Sequence, residues 1–141
     1  RKISNFKFQI SNLFTEKSAS LIREGMVESC SPGGVVWPLF DFKIPAKGWS
    51  ASGGKNVIDG KNFIEENSSG SAKMVKIAIA CKTGTAQHGE ENTLPHAWIT
   101  LFAPAYNPEI VITVLAEESG EGSNVAAPIA KKILEEYFKN K

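Results

Sequence analysis

The stretch Ile79-Ala80-Cys81-Lys82-Thr83-Gly84-Thr85-Ala86-Gln87 decides the fold. Just before and into it, Val75, Ile77 and Ile79 alternate with Lys76, Ala78 and Ala80. A period of two marks a strand with one face toward a core, so a strand is predicted from Met74 into Lys82. On an extended backbone successive side chains point to opposite faces. Thr83 and Thr85 therefore project together, while Lys82 and Gly84 face the other way. Two hydroxyls beside a cation make a row of donors suited to a carboxylate, and a glycine in a strand lets a ligand's own backbone come close.

Downstream, Gln87 to Pro95 holds His88-Gly89 and a polar run, and reads as a hairpin-like connection. Ala97 to Phe102 is apolar at most positions on both faces, which predicts a central strand. Pro104 to Pro108 is a turn punctuated by Asn107-Pro108, and Ile110 to Ala116 is a strand rich in β-branched residues. Short links between three strands predict an antiparallel meander. Glu118-Ser119-Gly120-Glu121-Gly122 then breaks the pattern, with Ser123 or Asn124 expected to cap a last helix and Pro128 in its first turn. Val125, Ile129, Ile133 and Tyr137 form one stripe of that helix; Ala126, Ala130, Leu134 and Phe138 form another. Together they are wide enough to lie flat on a sheet.

Upstream, Phe6, Phe8 and Ile10 alternate as a short strand, and Thr15 is an N-cap with Phe14 as staple partner for Ala19. From Glu16 to Cys30 the apolar positions Ala19, Ile22, Met26 and Cys30 recur at helical spacing. Gly25 costs such a helix up to about 1 kcal/mol, and close packing against another element is the expected compensation. Ser31-Pro32-Gly33-Gly34 ends the helix. Residues 31–72 read as a surface insertion: Val35 to Phe40 is an apolar cluster that needs burial, and after it the chain turns to Gly, Ser, Lys and Asn. The element order is strand, helix, excursion, three strands, helix. The expected fold class is α/β of the α+β type, an antiparallel sheet with a C-terminal helix packed on it.

The composition fits one domain: 141 residues, 42% hydrophobic, 22% charged. A net charge of +1, from 16 basic and 15 acidic residues, gives no broad cationic surface for nucleic acid. No apolar run approaches the roughly 20 residues of a membrane helix, and no signal peptide is visible. The first residue is Arg1, so the chain is expected to begin inside a longer protein. Cys30 and Cys81 show no CxxC spacing, and Cys81, His88 and His96 lack the spacing of a zinc site; no metal and no cofactor are expected. Read alone, the cysteines are either two small buried thiols or a disulfide, the second being natural for an exported protein.

Five collinear motifs carry a resemblance. Cys81-Lys82-Thr83-Gly84-Thr85-Ala86-Gln87, His96-Ala97-Trp98, Phe102-Ala103-Pro104, Asn107-Pro108-Glu109 and Ala126-Ala127-Pro128-Ile129-Ala130 resemble the end of a penicillin-binding transpeptidase. Ile22-Arg23-Glu24-Gly25-Met26 is similar to the helix that precedes it. The likeness covers residues 15–34 and 74–138 and is nearest to class B, monofunctional D,D-transpeptidases of the cell-elongation type. It implies a penicillin-binding protein/serine β-lactamase-like transpeptidase fold, of which residues 1–141 would be the C-terminal portion, with 31–72 as a surface insertion and 74–138 as the Lys-Thr-Gly strand, two further antiparallel strands and the helix.

Three motifs build that family's site: Ser-x-x-Lys, Ser-x-Asn and Lys-Thr-Gly. Ser-x-Asn does not occur in this sequence. Ser-x-x-Lys occurs by spelling at Ser4/Lys7 and Ser52/Lys55, but Ser4 precedes a strand and Ser52 precedes two glycines, whereas the nucleophile should open a buried helix. The nucleophilic serine and the Ser-x-Asn motif are therefore expected upstream of this chain, and the chain alone is expected to be inactive. In the parent, the resemblance implies cross-linking of peptidoglycan stem peptides through a serine acyl-enzyme, on substrates ending in D-Ala-D-Ala, with β-lactams binding the same site. It implies that Lys82 and the Thr85 N–H are catalytic, the latter as an oxyanion donor. Thr83, Gly84, Thr85, Gln87 and Trp98 would touch substrate, although the residues alone favour core packing for Trp98 and a loop position for His88. An extracytoplasmic location, a membrane anchor outside this chain and cell-wall elongation partners follow from the same likeness. Related readings are a β-lactam sensor, a non-catalytic stem-peptide binder, or a D,D-carboxypeptidase or β-lactamase. The sequence departs from the family in two respects, the first being its cysteines: Cys81 stands where a glycine is usual and Cys30 where a small hydroxyl residue is common. If the resemblance brings those segments together, a Cys30–Cys81 disulfide is expected. The other departure, the Trp37 to Ala72 excursion, bears on how open the cleft beside Lys82 is.

Overall fold

In the computed structural model the described residues are 15–45, 74–89 and 92–140. In chain order they form helix α1 (Glu16–Ser29), a 3-10 turn (Trp37–Leu39), strands β1 (Lys43–Pro45), β2 (Met74–Lys76), β3 (Ala80–Ala86), β4 (His96–Ala103) and β5 (Ile110–Ala116), and helix α2 (Ala126–Lys139). The alternation at Phe6, Phe8 and Ile10, the staple residue Phe14 and the Ser4/Lys7 and Ser52/Lys55 pairs lie outside the described residues. No helix among the described residues is long and apolar enough to cross a membrane.

The meander is present: β3, β4 and β5 lie side by side in that order, antiparallel, with β4 central. Lys82 pairs with Thr100, Thr83 with Ile99, Gly84 with Trp98 and Thr85 with Ala97. On the other side of β4, Ile99 pairs with Val114 and Leu101 with Ile112. Because paired residues share a face, Cys81, Thr83, Thr85, Ala97, Ile99, Leu101 and Ile112 look to one side. That side is closed: Ile99, Leu101 and Ala97 are fully buried in one cluster with Ala126, Ala127, Ala130, Leu134 and Phe138 of α2. Of the two stripes on α2, the sheet takes the one with alanines, whose small side chains let helix and sheet approach; Ile129 and Ile133 stay partly exposed. Burying Leu134 and Phe138 contributes roughly 1.5–3 kcal/mol each.

Several expectations are corrected. The strand into Lys82 is broken: β2 pairs with β1, not with the meander, and Ala78–Ile79 are in neither sheet. Ile77, Ala78, Ile79 and Ala80 are all buried, so the chain is covered on every side where it passes from one sheet to the other, and the Ala78 carbonyl accepts from the Ala105 N–H at 2.8 Å. The anchored end of the excursion is core: Val36, Leu39, Phe42 and Ile44 join the α2 cluster, while Trp37 faces solvent.

Thr15 caps α1, its Oγ1 accepting from the Ser18 N–H at 3.1 Å. The apolar face of α1 is not buried, however; Ile22 is 53% exposed, and Gly25 has open space where a Cβ would stand rather than a close neighbour. Toward its C-terminal end α1 packs through Met26 and Val27 on the cluster of Ala78, Ala80 and Ala105, which Phe102 and Tyr106 also border. Neither Ser123 nor Asn124 caps α2: Val125 holds the cap position without a side-chain bond. Ser123 Oγ instead donates to the Val35 carbonyl at 2.9 Å, and the Glu121 and Gly122 carbonyls take the free amides of Val125 and Ala127.

Candidate active site

Among the described residues β3 is an edge strand of its sheet, so one row of its backbone N–H and C=O groups meets no strand partner there. The alternation read from the sequence puts different chemistry on the two sides of that edge. Thr83 and Thr85 belong to the face that α2 closes, Thr83 half-buried and Thr85 exposed. Lys82 and Gly84 belong to the opposite, open face with Trp98. A molecule lying along the edge therefore meets hydroxyls from one side and an ammonium from the other. Lys82 is exposed, and its Nζ turns back to donate to the Thr83 carbonyl at 2.6 Å. That folds the ammonium back toward its own strand while it stays exposed.

Gly84 faces Trp98; a Cβ there would stand 3.3 Å from the Trp98 Cβ. Trp98 is 38% exposed rather than packed in the core, because no element among the described residues covers its face at that point. Gln87 follows β3 and is exposed. Behind Thr83, the backbone of Gly122 lies so close that a Cβ would strike the Trp98 carbonyl, with the Gly84 carbonyl at 2.8 Å and the Thr83 Cβ at 3.1 Å. Only glycine fits there.

Cys30, the C-cap of α1, and Cys81, the residue before Lys82, are joined by a disulfide, with Cα atoms 5.9 Å apart. Both are buried. The bond fixes the strand to the helix immediately before the cation and leaves no thiol for a metal. A second tether runs from Tyr106, whose hydroxyl donates to Glu24 Oε2 at 2.8 Å under the Arg23 guanidinium. Burial, and then the Glu24 hydrogen bond, raise the Tyr106 phenol above its ordinary value.

His88 and His96 lie at the far end of β3 and β4 with their rings stacked, centroids 3.8 Å apart and 4° from parallel. Rings lying flat on one another do not converge on an ion, and no group among the described residues could hold a metal. His96 Nδ1 instead accepts the Glu118 N–H at 3.0 Å. The tie from His96 to Glu118 and the packing of Gly122 were not visible in the sequence, since both link residues far apart in the chain and follow no period.

The chain matches the description "Penicillin binding protein transpeptidase domain" over residues 56–135. It is 47% identical over 62 residues to peptidoglycan D,D-transpeptidase PbpA of Mycolicibacterium smegmatis, which covers 39% of this chain and 13% of that protein. To peptidoglycan D,D-transpeptidase MrdA of Haemophilus influenzae it is 35% identical over 85 residues, 60% of this chain and 13% of the relative. A solved structure of penicillin-binding protein A from M. tuberculosis, a ceftriaxone acyl-enzyme complex, is similar with 44% identity and a TM-score of 0.39 over 40% of this chain and 14% of that one. The chain thus spans about an eighth of the length of the curated relatives it matches. With the family description matching more than half of its residues, around the strand that carries Lys82-Thr83-Gly84-Thr85, this chain belongs to the penicillin-binding protein transpeptidase family.

Proposed function

We propose that this chain is the C-terminal portion of the transpeptidase domain of a peptidoglycan D,D-transpeptidase of the class B, elongation type. The observation that carries the reading is the edge of β3, unpaired among the described residues, with Thr83 and Thr85 on one side and Lys82 and Gly84 on the other, in a member of this family. The substrate is a stem peptide ending in D-Ala-D-Ala. Thr83 and Thr85 hydroxyls hold its terminal carboxylate, and so set the adjacent carbonyl over the nucleophile. Gly84 leaves room for the peptide backbone, and Gln87 and Trp98 border it. A serine from the upstream part of the domain attacks that carbonyl, with its proton passing to a neighbouring base. The Thr85 N–H receives the developing oxyanion, and Lys82 supplies positive potential. D-alanine leaves with its amino group protonated, and the acyl group passes to the amine of a second stem. β-Lactams acylate the same serine. Peptidoglycan lies outside the cell membrane, so the site works on the extracytoplasmic side, where the Cys30–Cys81 disulfide is stable.

Exposure of the full-length protein to a fluorescent penicillin tests this. Covalent labelling is expected, and Lys82→Ala should slow it by about 100-fold or more, the scale of losing one electrostatic group at the reacting centre. Thr83→Val should slow it by about tenfold. Absence of labelling in the unmutated protein overturns the reading.

A further inference from the structure

The segment between β5 and α2 is held at two ends. At one end the Glu118 N–H donates to His96 Nδ1 at 3.0 Å, and the Ser119 and Gly120 amides donate to the Pro95 carbonyl at 3.1 and 3.0 Å. At the other, Gly122 lies against the Gly84 and Trp98 carbonyls and the Thr83 side chain. Glu118 has φ 46, in the left-handed region where a residue with a Cβ is strained. The ring of His96 accepts its N–H there, beside the two amides bound to Pro95. His96 itself begins β4 opposite Ala86 and is stacked on His88. The segment is thus a strap from His96 to the back of the strand that carries Thr83 and Gly84.

Protonation acts differently on the two imidazoles. His88 Nε2 donates to the Leu94 carbonyl at 3.1 Å and lies 4.0 Å from Glu118 Oε1, both compatible with a charged ring. His96 must keep Nδ1 bare to accept the Glu118 N–H, so its proton sits on Nε2; a second proton turns the acceptor into a donor facing a donor. Among the described residues, the charged or titratable groups shown against this pair are His88 itself and Glu118, with Glu117 next in the chain.

We propose that His96 is a positioning residue of the site: in its neutral form it pins Glu118, and through the strap to Gly122 it keeps Thr83 and Gly84 in register to receive the substrate carboxylate. The inference rests on the transpeptidase reading for its substrate, but not for the strap.

The test uses full-length protein with a fluorescent penicillin from pH 8 down to pH 5, beside hydrogen–deuterium exchange at the same pH values, corrected for intrinsic rates. The unmutated protein should lose about three- to tenfold of its acylation rate on acidification, the scale of one hydrogen bond. His96→Phe keeps the stacked ring and removes the acceptor; it should be slowed by the same factor already at pH 8 and should no longer respond to pH. His96→Asn places Oδ1 where Nδ1 stood and cannot be charged, so it should stay within about threefold of the unmutated rate at every pH. Amides of Glu118 to Gly122 and Thr83 to Thr85 should exchange faster at pH 5 in the unmutated protein, and at pH 8 in His96→Phe. A full acid loss retained in His96→Asn, or exchange unaffected by His96→Phe, overturns the proposal. If no variant is acylated at any pH, the transpeptidase reading fails while the exchange data still decide the strap.

Discussion

The two faces of the β3–β4–β5 sheet are made from the same strands and treated in opposite ways. On one, Ile99, Leu101 and Ala97 are sealed under α2. On the other, Val111 is 68% and Leu115 43% exposed, and the Thr100 and Thr113 hydroxyls bond to each other at 3.1 Å between them. The closed face holds the fold together; the open one presents Trp98, Gly84 and Lys82. Thr83 and Thr85 show why the difference matters, since they reach the strand edge from the closed side. Half of the proposed carboxylate cradle is braced by the core, and the other half stands on the face that α2 does not cover.

Five changes break or sharpen this contrast, each read as a urea-denaturation midpoint of this chain. Reducing the Cys30–Cys81 bond, which closes a separation of 51 residues, should cost about 4 kcal/mol if the loss is the chain entropy of the opened loop. A loss far below that would mean that α1 is held to β3 by packing alone. Leu134→Ala, under the closed face, should cost about 2–5 kcal/mol, whereas Val111→Ala on the open face should stay within about 0.5 kcal/mol; equal losses would end the distinction. Gly122→Ala should cost about 1–3 kcal/mol, because the added carbon meets backbone carbonyls that cannot yield. Gly25→Ala should instead stabilise by up to about 1 kcal/mol, since the helix gains propensity and the new methyl meets nothing. Two glycine-to-alanine changes of opposite sign would separate a packed position from an open one.

The elements easiest to read were those whose periodicity had a single physical interpretation. Ile110 to Ala116 was bounded by a proline turn and a polar break, and β5 has those limits. For β4 the expected centre is right, but apolar residues on both sides of a strand did not mean burial on both sides; Trp98 is 38% exposed on the face opposite α2. The Ile-Ala alternation of 77–80 was misleading because alanine is small enough to be buried on either face, so a fully covered crossing looked like one continuous strand. β1 could not be read at all: Lys43-Ile44-Pro45 is too short to show a period, and only its partner β2 makes it a strand. At the site, the sequence shows Lys82, Thr83, Gly84 and Thr85 and their alternation. It does not show that Ser123 reaches Val35 or that His96 holds Glu118, because each joins a side chain to a backbone group far along the chain.

Pro45 and Met74 are antiparallel partners. The chain therefore leaves the small sheet after Pro45 and rejoins it at the position opposite, Met74. Length between such anchors is inexpensive: each doubling of a loop costs only about 0.6 kcal/mol. A single residue inserted within β2, by contrast, would turn Val75 to the wrong side. The pair is thus a natural splice point. A tag or fluorescent cassette carried between Pro45 and Met74 should leave the β1–β2 pairing and the strand bearing Lys82 where they are.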